Sequence, residues 1–140
     1  MPAYVYNSDT FEADLAIKVF LVEDMKQLQG VMTDLLGSLG EVEIAGTAAT
    51  EAEARLWLDE HAGQWQLAVI DLILAQGTGM GVIAKCKENE GHGKVVVFSD
   101  YATPGIRTHC LKLGADAVFQ KSTQTADFIE YCAGLIKPQA

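Results

Sequence analysis

Short apolar runs alternate five times with segments of helical periodicity, and this alternation restricts the fold more than any other feature of the chain. Three of the runs are clear, because they consist almost entirely of β-branched and other apolar residues: residues 17–22, 67–70 and 95–98. Strands that are apolar on both sides are buried on both faces. The pattern therefore predicts a parallel sheet with helices packed against each side.

Two weaker runs, residues 42–46 and 115–119, complete the alternation as short strands, and helical spacing fills the intervals between the runs. Helices are predicted over residues 25–39, from Glu51 onwards behind an N-cap at Thr50, behind a glycine-rich loop at 76–81, over 104–113 and over 125–136. Right-handed crossovers between parallel strands then leave few topologies. We interpret residues 1–16, which lack periodicity, as an N-terminal extension, and residues 17–137 as one domain.

The acidic balance of the chain argues against nucleic-acid and lipid partners. The formal net charge is −9 and the isoelectric point is near 4.6, whereas binding to phosphate backbones and anionic lipids depends on Lys and Arg. No apolar stretch approaches the roughly 20 residues that cross a bilayer, and the acidic start does not resemble a secretory signal. Cys86, Cys110 and Cys132 form no CxxC pair. We therefore expect reduced thiols in a cytoplasmic protein without direct nucleic-acid contacts or membrane insertion.

Polar residues follow four of the five predicted strands at the point where each strand ends. Glu23 and Asp24 follow the first strand, Asp71 the third, Ser99 the fourth and Lys121 the fifth. The carboxyl ends of parallel strands meet at one edge of the sheet, where folds of this kind place their sites. Each residue alone is typical of a solvated loop, but the five together predict one site.

Three carboxylates, a hydroxyl and an amine suit phosphoryl chemistry assisted by a magnesium ion. Mg²⁺ prefers hard oxygen ligands and keeps several waters, so Asp24 and Asp71 are predicted to coordinate it directly and Glu23 through water. A carboxylate such as Asp71 can form an aspartyl-phosphate. The Ser99 hydroxyl and the Lys121 ammonium would then stabilise the charge on the phosphoryl oxygens.

This arrangement resembles the response-regulator receiver family over residues 17–136. The family has an acidic pair after its first strand, seen here as VFLVED at 19–24, and a phosphoacceptor aspartate in a segment like DLILAQGTGMGVI at 71–83. It has a Ser or Thr after the fourth strand, here VVVFS at 95–99, and a Lys after the fifth, here GADAVFQKS at 114–122. The five positions match together and in order.

The resemblance implies a flavodoxin-like, doubly wound (βα)5 fold with parallel strands in the order 2-1-3-4-5. It implies Mg²⁺-dependent phosphoryl acceptance on Asp71 from a sensor histidine kinase or a histidine phosphotransfer protein, with the backbone carbonyl of Ile73 completing the metal site. Since the chain ends soon after the last helix, we expect a single-domain regulator whose output is a protein contact. No independent enzyme activity is expected beyond self-catalysed phosphoryl transfer and autodephosphorylation.

Two departures from the family pattern concern the fifth strand. Val118 stands where family members often carry an aromatic switch residue, and Phe119, one position later, belongs to the opposite strand face. Ser122 follows Lys121 where the family commonly has a proline in a cis bond. A cis bond before serine would cost about 3–4 kcal/mol, so we expect a trans bond here.

Two further departures lie in loops at the same edge of the sheet. Asp100 stands beside Ser99 where the family usually has a small residue. Our hypothesis is that it hinders the water that attacks an aspartyl-phosphate or adds charge near the phosphoryl group. Equal aspartyl-phosphate lifetimes in the wild type and Asp100→Ala would contradict this hypothesis. Ala75 replaces a proline in the loop after Asp71, from which we expect a looser loop.

The sequence also allows other classes of function. A degenerate receiver could act as a phosphorylation-independent protein-binding module, which the altered switch position favours and the intact acids, Ser99 and Lys121 disfavour. A phosphatase with an aspartyl-phosphate would need a second acid where Ile73 stands, and an FMN carrier would have its phosphate repelled by Glu23 and Asp24. The GTGMG segment at 77–81 lacks Rossmann or Walker spacing and is interpreted as a loop that enters a helix.

Overall fold

Each of the five apolar runs forms a β-strand, and a helix follows each strand. The computed structural model describes residues 16–88 and 92–136. The strands are β1 Ile17–Val22, β2 Val42–Ala48, β3 Leu67–Ile70, β4 Lys94–Phe98 and β5 Ala117–Phe119. The helices are α1 Lys26–Leu39, α2 Glu51–Glu60, α3 Gly79–Cys86, α4 Pro104–Leu113 and α5 Thr125–Leu135. The predicted extension at residues 1–16 lies outside the described part of the chain except for Ala16.

All strand pairs in the sheet are parallel, and the strand order is β2-β1-β3-β4-β5. This order confirms the flavodoxin-like topology that the resemblance implies. The chain reverses its direction of winding after β2, since β3 pairs with the other side of β1. The carboxyl ends of β1 and β3 therefore lie side by side at the switch point, which is where open α/β sheets form their crevice.

Two apolar clusters cover the two faces of the sheet. On one face, α1 and α5 bury Leu36 and Phe128 against Leu21 of β1. On the other face, α2, α3 and α4 bury Leu58, Ile83 and Cys110 together with Ile70, Val97 and other strand residues. Alternate residues of the buried strands contribute to opposite clusters, which explains why these strands are continuously apolar in the sequence.

Helix α3 begins earlier than predicted, inside the glycine-rich segment that was interpreted as a loop. Its first residue is Gly79, and the N-cap residue Thr78 is extended. The Gly79 amide donates to the carbonyl of Leu72, at 3.0 Å, and a Cβ on Gly79 would collide with the carbonyl oxygen of Asp71. Glycine is needed here because the helix starts in contact with the end of β3, although glycine lowers intrinsic helix propensity.

Strand β5 begins two residues later than predicted, at Ala117. The reason is the way in which α4 ends. Gly114 adopts a left-handed conformation with φ of 117°, and the amides of Gly114 and Ala115 both donate to the carbonyl of Cys110. Ala115 is thus part of the helix C-terminal motif rather than of the strand. Strand β2 is longer than predicted, because pairing with β1 continues to Ala48.

Trp57 of α2 lies flat between two other rings. Its indole stacks on Phe20 of β1 with ring centroids 4.1 Å apart, and on His61 at the end of α2, also at 4.1 Å. Gly46 of β2 makes room for this stack, because a Cβ there would collide with the indole. The stack fastens α2 to the first two strands.

The three cysteines are buried and none is paired in a disulfide, as expected from their spacing. Burial raises the pKa of the Cys86 and Cys132 thiols to about 12, and it also raises the pKa of the Cys110 thiol. In the described ranges, none of the helices combines the length and apolar character required to span a membrane.

Candidate functional site

Three carboxylates meet at the carboxyl ends of the two neighbouring strands β1 and β3. Glu23 and Asp24 follow β1 directly, and Asp71 follows β3. One carboxylate oxygen from each of the three residues lies within 4.8 Å of the others. The topology produces this proximity, because the amide of Asp71 continues the pairing of β3 with β1 by donating to the carbonyl of Val22, at 2.9 Å.

Lys121, which lies just after β5, adds a positive charge to this cluster. Its ammonium donates to Glu23 Oε1 at 2.7 Å and to Asp71 Oδ2 at 2.9 Å. Burial alone would lower the pKa of Lys121, but the hydrogen bonds and charges of Glu23 and Asp71 outweigh burial and raise this pKa above its ordinary value. The side chain is therefore an ammonium held between two acids.

Ser99 approaches Asp71 from the end of β4. Its hydroxyl donates to Asp71 Oδ1 at 2.7 Å and accepts from the amide of Tyr101 at 3.2 Å. The residue is only 1% exposed, and its amide donates to the carbonyl of Phe119 of β5 at 3.1 Å. Ser99 thus sits in a fixed position in the sheet. Both carboxylate oxygens of Asp71 face a donor, since Oδ1 meets Ser99 and Oδ2 meets Lys121.

Glu23 is the most buried member of the acidic cluster, with 5% of its surface exposed. Burial raises the pKa of its carboxyl above the ordinary value, although the hydrogen bond from Lys121 acts in the opposite direction. Its Oε2 accepts from the amide of Met25 at 3.3 Å, and its carbonyl accepts from Gln29 Nε2 at 2.6 Å. Sequence reasoning missed Gln29, whose only signal was its place in the first turn of α1.

Ile73 lies beside Asp71 through its backbone. Its amide donates to Asp71 Oδ1 at 3.2 Å, while its side chain is 55% exposed. Ile73 also faces Thr78 in an isolated antiparallel bridge, so the loop between β3 and α3 folds back on itself next to the carboxylates. The loop is thus adjacent to the acidic cluster through backbone atoms.

The composition of the cluster fits a hard divalent cation. Three carboxylates supply oxygen ligands within a small volume, and Mg²⁺ takes such oxygens while keeping several waters. Lys121 is the one cation that contacts Glu23 and Asp71 among the described ion pairs. The cluster carries more negative charge than this lysine balances, and a divalent cation would relieve the repulsion.

The two departures on β5 have a clear structural outcome. Val118 is buried in the cluster under α2, α3 and α4, whereas Phe119 packs on the other face against Phe128 and Tyr131, with ring centroids 6.1 and 5.7 Å apart. Phe119 therefore does not replace an aromatic at position 118. The described residues contain no cis peptide bond, so the Lys121–Ser122 bond is trans as predicted.

Glu51 and Arg55 of α2 were not singled out by the sequence, yet both contact the segment that follows Asp71. Glu51 Oε1 accepts from the amide of Thr78 at 3.0 Å, and Arg55 Nη1 donates to the carbonyl of Gly81 at 2.9 Å. In the sequence, Glu51 reads only as an acid in the first turn of a helix. Nothing local in the chain indicates that this turn touches a loop more than 20 residues away.

Comparison with known proteins agrees with this geometry. Residues 19–133 match the model of the family described as "Response regulator receiver domain". The transcriptional regulatory protein DesR of Bacillus subtilis is 22% identical over 111 residues, which cover 79% of this chain and 54% of DesR. This chain thus spans about half the length of that curated relative.

Two solved structures are similar over most of their length. A chain of the CheX–CheY–BeF3–Mg²⁺ complex from Borrelia burgdorferi superposes with a TM-score of 0.77 at 20% identity, covering 94% of this chain and 96% of that one. The phosphorylated cyanobacterial phytochrome response regulator RcpA superposes with a TM-score of 0.70 at 25% identity, covering 86% of this chain and 91% of that one. These superpositions support the strand order and the crossovers described above.

Proposed function

The chain belongs to the response regulator receiver domain family, and from this membership we propose that Asp71 accepts a phosphoryl group in a Mg²⁺-dependent reaction. The donor is a sensor histidine kinase or a histidine phosphotransfer protein. The modified protein then changes its contacts with a downstream protein. We assign this role to a receiver unit that spans residues 17–137.

The contact pattern of Asp71 is the observation that carries the proposal. A hydroxyl lies 2.7 Å from one carboxylate oxygen and an ammonium 2.9 Å from the other, at an edge shared with two more acids. A phosphoacceptor carboxylate needs donors that can move onto the new phosphoryl oxygens. Ser99 and Lys121 meet this need from opposite sides.

The reaction can be followed through the residues of this chain. An oxygen of Asp71 attacks phosphorus, a P–O bond forms, and the P–N bond to the donor imidazole breaks; the leaving imidazole takes up a proton from solvent. Lys121 and Ser99 then donate to phosphoryl oxygens instead of to the carboxylate. Glu23, Asp24, Asp71 and the carbonyl of Ile73 would hold Mg²⁺, which supplies positive charge to the phosphoryl oxygens when it is bound.

The experiment that tests the proposal uses acetyl phosphate as a small phosphodonor. Wild-type protein incubated with this donor and Mg²⁺ is expected to gain the mass of one phosphoryl group, which hydroxylamine should remove. Asp71→Asn is expected to gain none. Asp34→Asn, the same substitution at an exposed position of α1, is the matched control and should label like the wild type. Labelling of Asp71→Asn at the wild-type rate, or no labelling of the wild type, would refute the assignment.

A second candidate is a receiver fold that binds a partner without phosphorylation. The observation in its favour is the buried Val118 at the usual aromatic switch position, with Phe119 directed to the other face of the sheet. The same experiment discriminates, because this candidate requires an unlabelled wild type that still binds its partner. Under either candidate we expect no catalytic activity toward other molecules.

A further inference from the structure

Hydrogen bonds join the first turn of α2 to the loop that follows Asp71. The amide of Glu51 donates to the carbonyl of Gln76 at 3.0 Å, and its carboxylate accepts from the amide of Thr78, also at 3.0 Å. Two residues before Glu51, the carbonyl of Ala49 accepts from the amide of Ala75 at 3.2 Å. Three hydrogen bonds therefore join two segments that are far apart in sequence, and only one of them depends on a side chain.

The GTGMG segment is shaped to accommodate this carboxylate. A Cβ on Gly77 or on Gly81 would collide with the side chain of Glu51. Gly77 also has a φ of +76°, which side chains rarely adopt. Two of the three glycines thus leave room for Glu51. This explains a motif that resembles a phosphate loop without having the spacing of one.

Arg55 extends the same contact into α3. Its guanidinium donates to the carbonyl of Gly81 at 2.9 Å and lies 3.8 Å from Glu51 Oε2. The two side chains are partly exposed, so the ion pair itself contributes little. The hydrogen bonds to backbone atoms of the loop and of α3 are what set the geometry.

The contact leads from Glu51 to the acidic cluster in two steps. The amide of Thr78 donates to Glu51, and Thr78 faces Ile73 in the antiparallel bridge. Ile73 in turn donates its amide to Asp71 Oδ1 at 3.2 Å. Removing the acceptor at Glu51 would leave the Thr78 amide without its partner. It would loosen the Thr78 side of the bridge, and with it the backbone of Ile73, although the backbone hydrogen bond from Gly79 to Leu72 would remain.

We propose that Glu51 is a positioning residue: by holding Thr78, it places the backbone of Ile73 beside Asp71 and thereby raises the affinity of the acidic cluster for Mg²⁺. This inference rests on the proposed function, because it assumes that Mg²⁺ binds at Glu23, Asp24 and Asp71. It assigns a role to a residue that touches neither the metal ligands nor the phosphoryl group.

The test measures Mg²⁺ binding by titration calorimetry without any phosphodonor. Glu51→Ala is expected to bind Mg²⁺ about 10-fold more weakly than the wild type, the lower end of the effect seen for groups that orient metal ligands. Glu51→Gln keeps an acceptor oxygen for Thr78 and should restore most of the affinity. Glu53→Ala removes the same charge from the same helical turn, at an exposed position, and should bind like the wild type.

Amide hydrogen exchange shows whether the variants break the intended contact. The amide of Thr78 should exchange faster in Glu51→Ala, and its protection should return in Glu51→Gln. Unchanged protection of Thr78 together with unchanged Mg²⁺ affinity in Glu51→Ala would also overturn the inference. Faster exchange at Thr78 with unchanged Mg²⁺ affinity would overturn the inference and leave the proposed function intact.

Gly81→Ala provides a second variant in case Glu51→Ala folds poorly. Alanine raises helix propensity within α3 but displaces the Glu51 carboxylate, so we expect weaker Mg²⁺ binding. Gly105→Ala, in the first turn of α4 with open space around it, is its control and should leave affinity unchanged. Wild-type affinity in Gly81→Ala would contradict the inference. A wild-type protein that binds no Mg²⁺ would overturn both the inference and the proposed function.

Discussion

A single ammonium, that of Lys121, contacts two of the three acids at the carboxyl edge of the sheet. Lys121 contacts Glu23 and Asp71 from the turn after β5, while Glu23 is almost completely buried. Without this cation, Glu23 would keep its burial and lose the ion pair that stabilises its charge. The pKa of Glu23, already raised by burial, would rise further.

Replacing this lysine should therefore reduce phosphorylation sharply. Lys121→Met keeps most of the side-chain volume and removes the ammonium that would donate to the phosphoryl oxygens. We expect the initial rate of labelling by acetyl phosphate to fall about 100-fold, as for loss of one donor to a developing charge. Lys112→Met, at an exposed position of α4, should keep the wild-type rate. Equal rates in the two variants would contradict the role assigned to Lys121.

The buried thiols determine how the stability of the protein should depend on pH. Because burial raises the pKa of Cys86 and Cys132 from 9.0 to about 12, the folded chain keeps protons that the unfolded chain releases above pH 9. The free energy of unfolding is therefore expected to fall as the pH rises from about 9 to about 12. Thiolate absorbance during an alkaline titration should appear only as the protein unfolds. Titration of the Cys86 and Cys132 thiols near pH 9 in the folded protein would contradict this prediction.

Among the helices, α2 has the most completely capped beginning. Thr50 accepts from the amide of Glu53 at 3.1 Å, and two acids occupy the first turn. Thr103 precedes α4 in the same position, also in an extended conformation, but its side chain makes no capping hydrogen bond. The two threonines form a natural comparison, since Thr50 also donates its hydroxyl to Glu53 Oε1 at 3.1 Å while Thr103 makes no capping hydrogen bond.

Removing the capping side chain should destabilise the protein at one of these two helices. Thr50→Ala is expected to lower the free energy of unfolding by about 1 kcal/mol, since the Glu53 amide loses its acceptor. Thr103→Ala should change it by much less. Urea denaturation of both variants measures the difference. Equal losses would mean that the cap at Thr50 contributes no stability of its own.

The helices also show where sequence reasoning reached its limit. Thr50 and Pro104 were identified as helix starts because their signals are local. The start of α3 was not, because Gly79 is helical on account of contacts with Asp71 and Leu72 that lie outside its own segment. The expectation of a looser loop at Ala75 likewise could not take into account the hydrogen bonds that reach this loop from Ala49 and Glu51.

At the scale of the whole molecule, the sheet couples two separate apolar clusters. Phe128 of α5 is fully buried on one face, stacked on Phe98 at 4.1 Å and in edge contact with Phe119. Buried strands such as β1, β3 and β4 contribute alternate residues to the two clusters. Damage on one face should therefore unfold the whole domain rather than detach a helix.

A large-to-small change at this position should show that coupling. Phe128→Ala is expected to lower the free energy of unfolding by about 3–5 kcal/mol, through lost burial and a cavity. Unfolding should nevertheless remain a single transition by both far-ultraviolet circular dichroism and fluorescence. Leu111→Ala, at a position that is 40% exposed, should cost far less. Separate transitions would contradict the coupling.

The global arrangement was the most predictable feature, because it follows from positions at strand ends. Apolar runs located β1, β3 and β4, and parallel pairing then required Asp71, Ser99 and Lys121 to share an edge. Hydrogen-bond partners within that edge were not predictable, since side chains such as Gln29 and Glu51 reach it from helices. Their contributions depend on three-dimensional packing that no local pattern records.

The stack of Phe20, Trp57 and His61 provides the chain with an intrinsic fluorophore on the helix that carries Glu51. Both faces of the indole are covered by neighbouring rings at 4.1 Å, so its emission depends on that contact. Movement of α2 away from β1 would separate the indole of Trp57 from Phe20 and expose it to water, which would change its emission. Motion of this helix can thus be followed by the emission of Trp57 in a Trp65→Phe variant, in which Trp57 is the one remaining tryptophan.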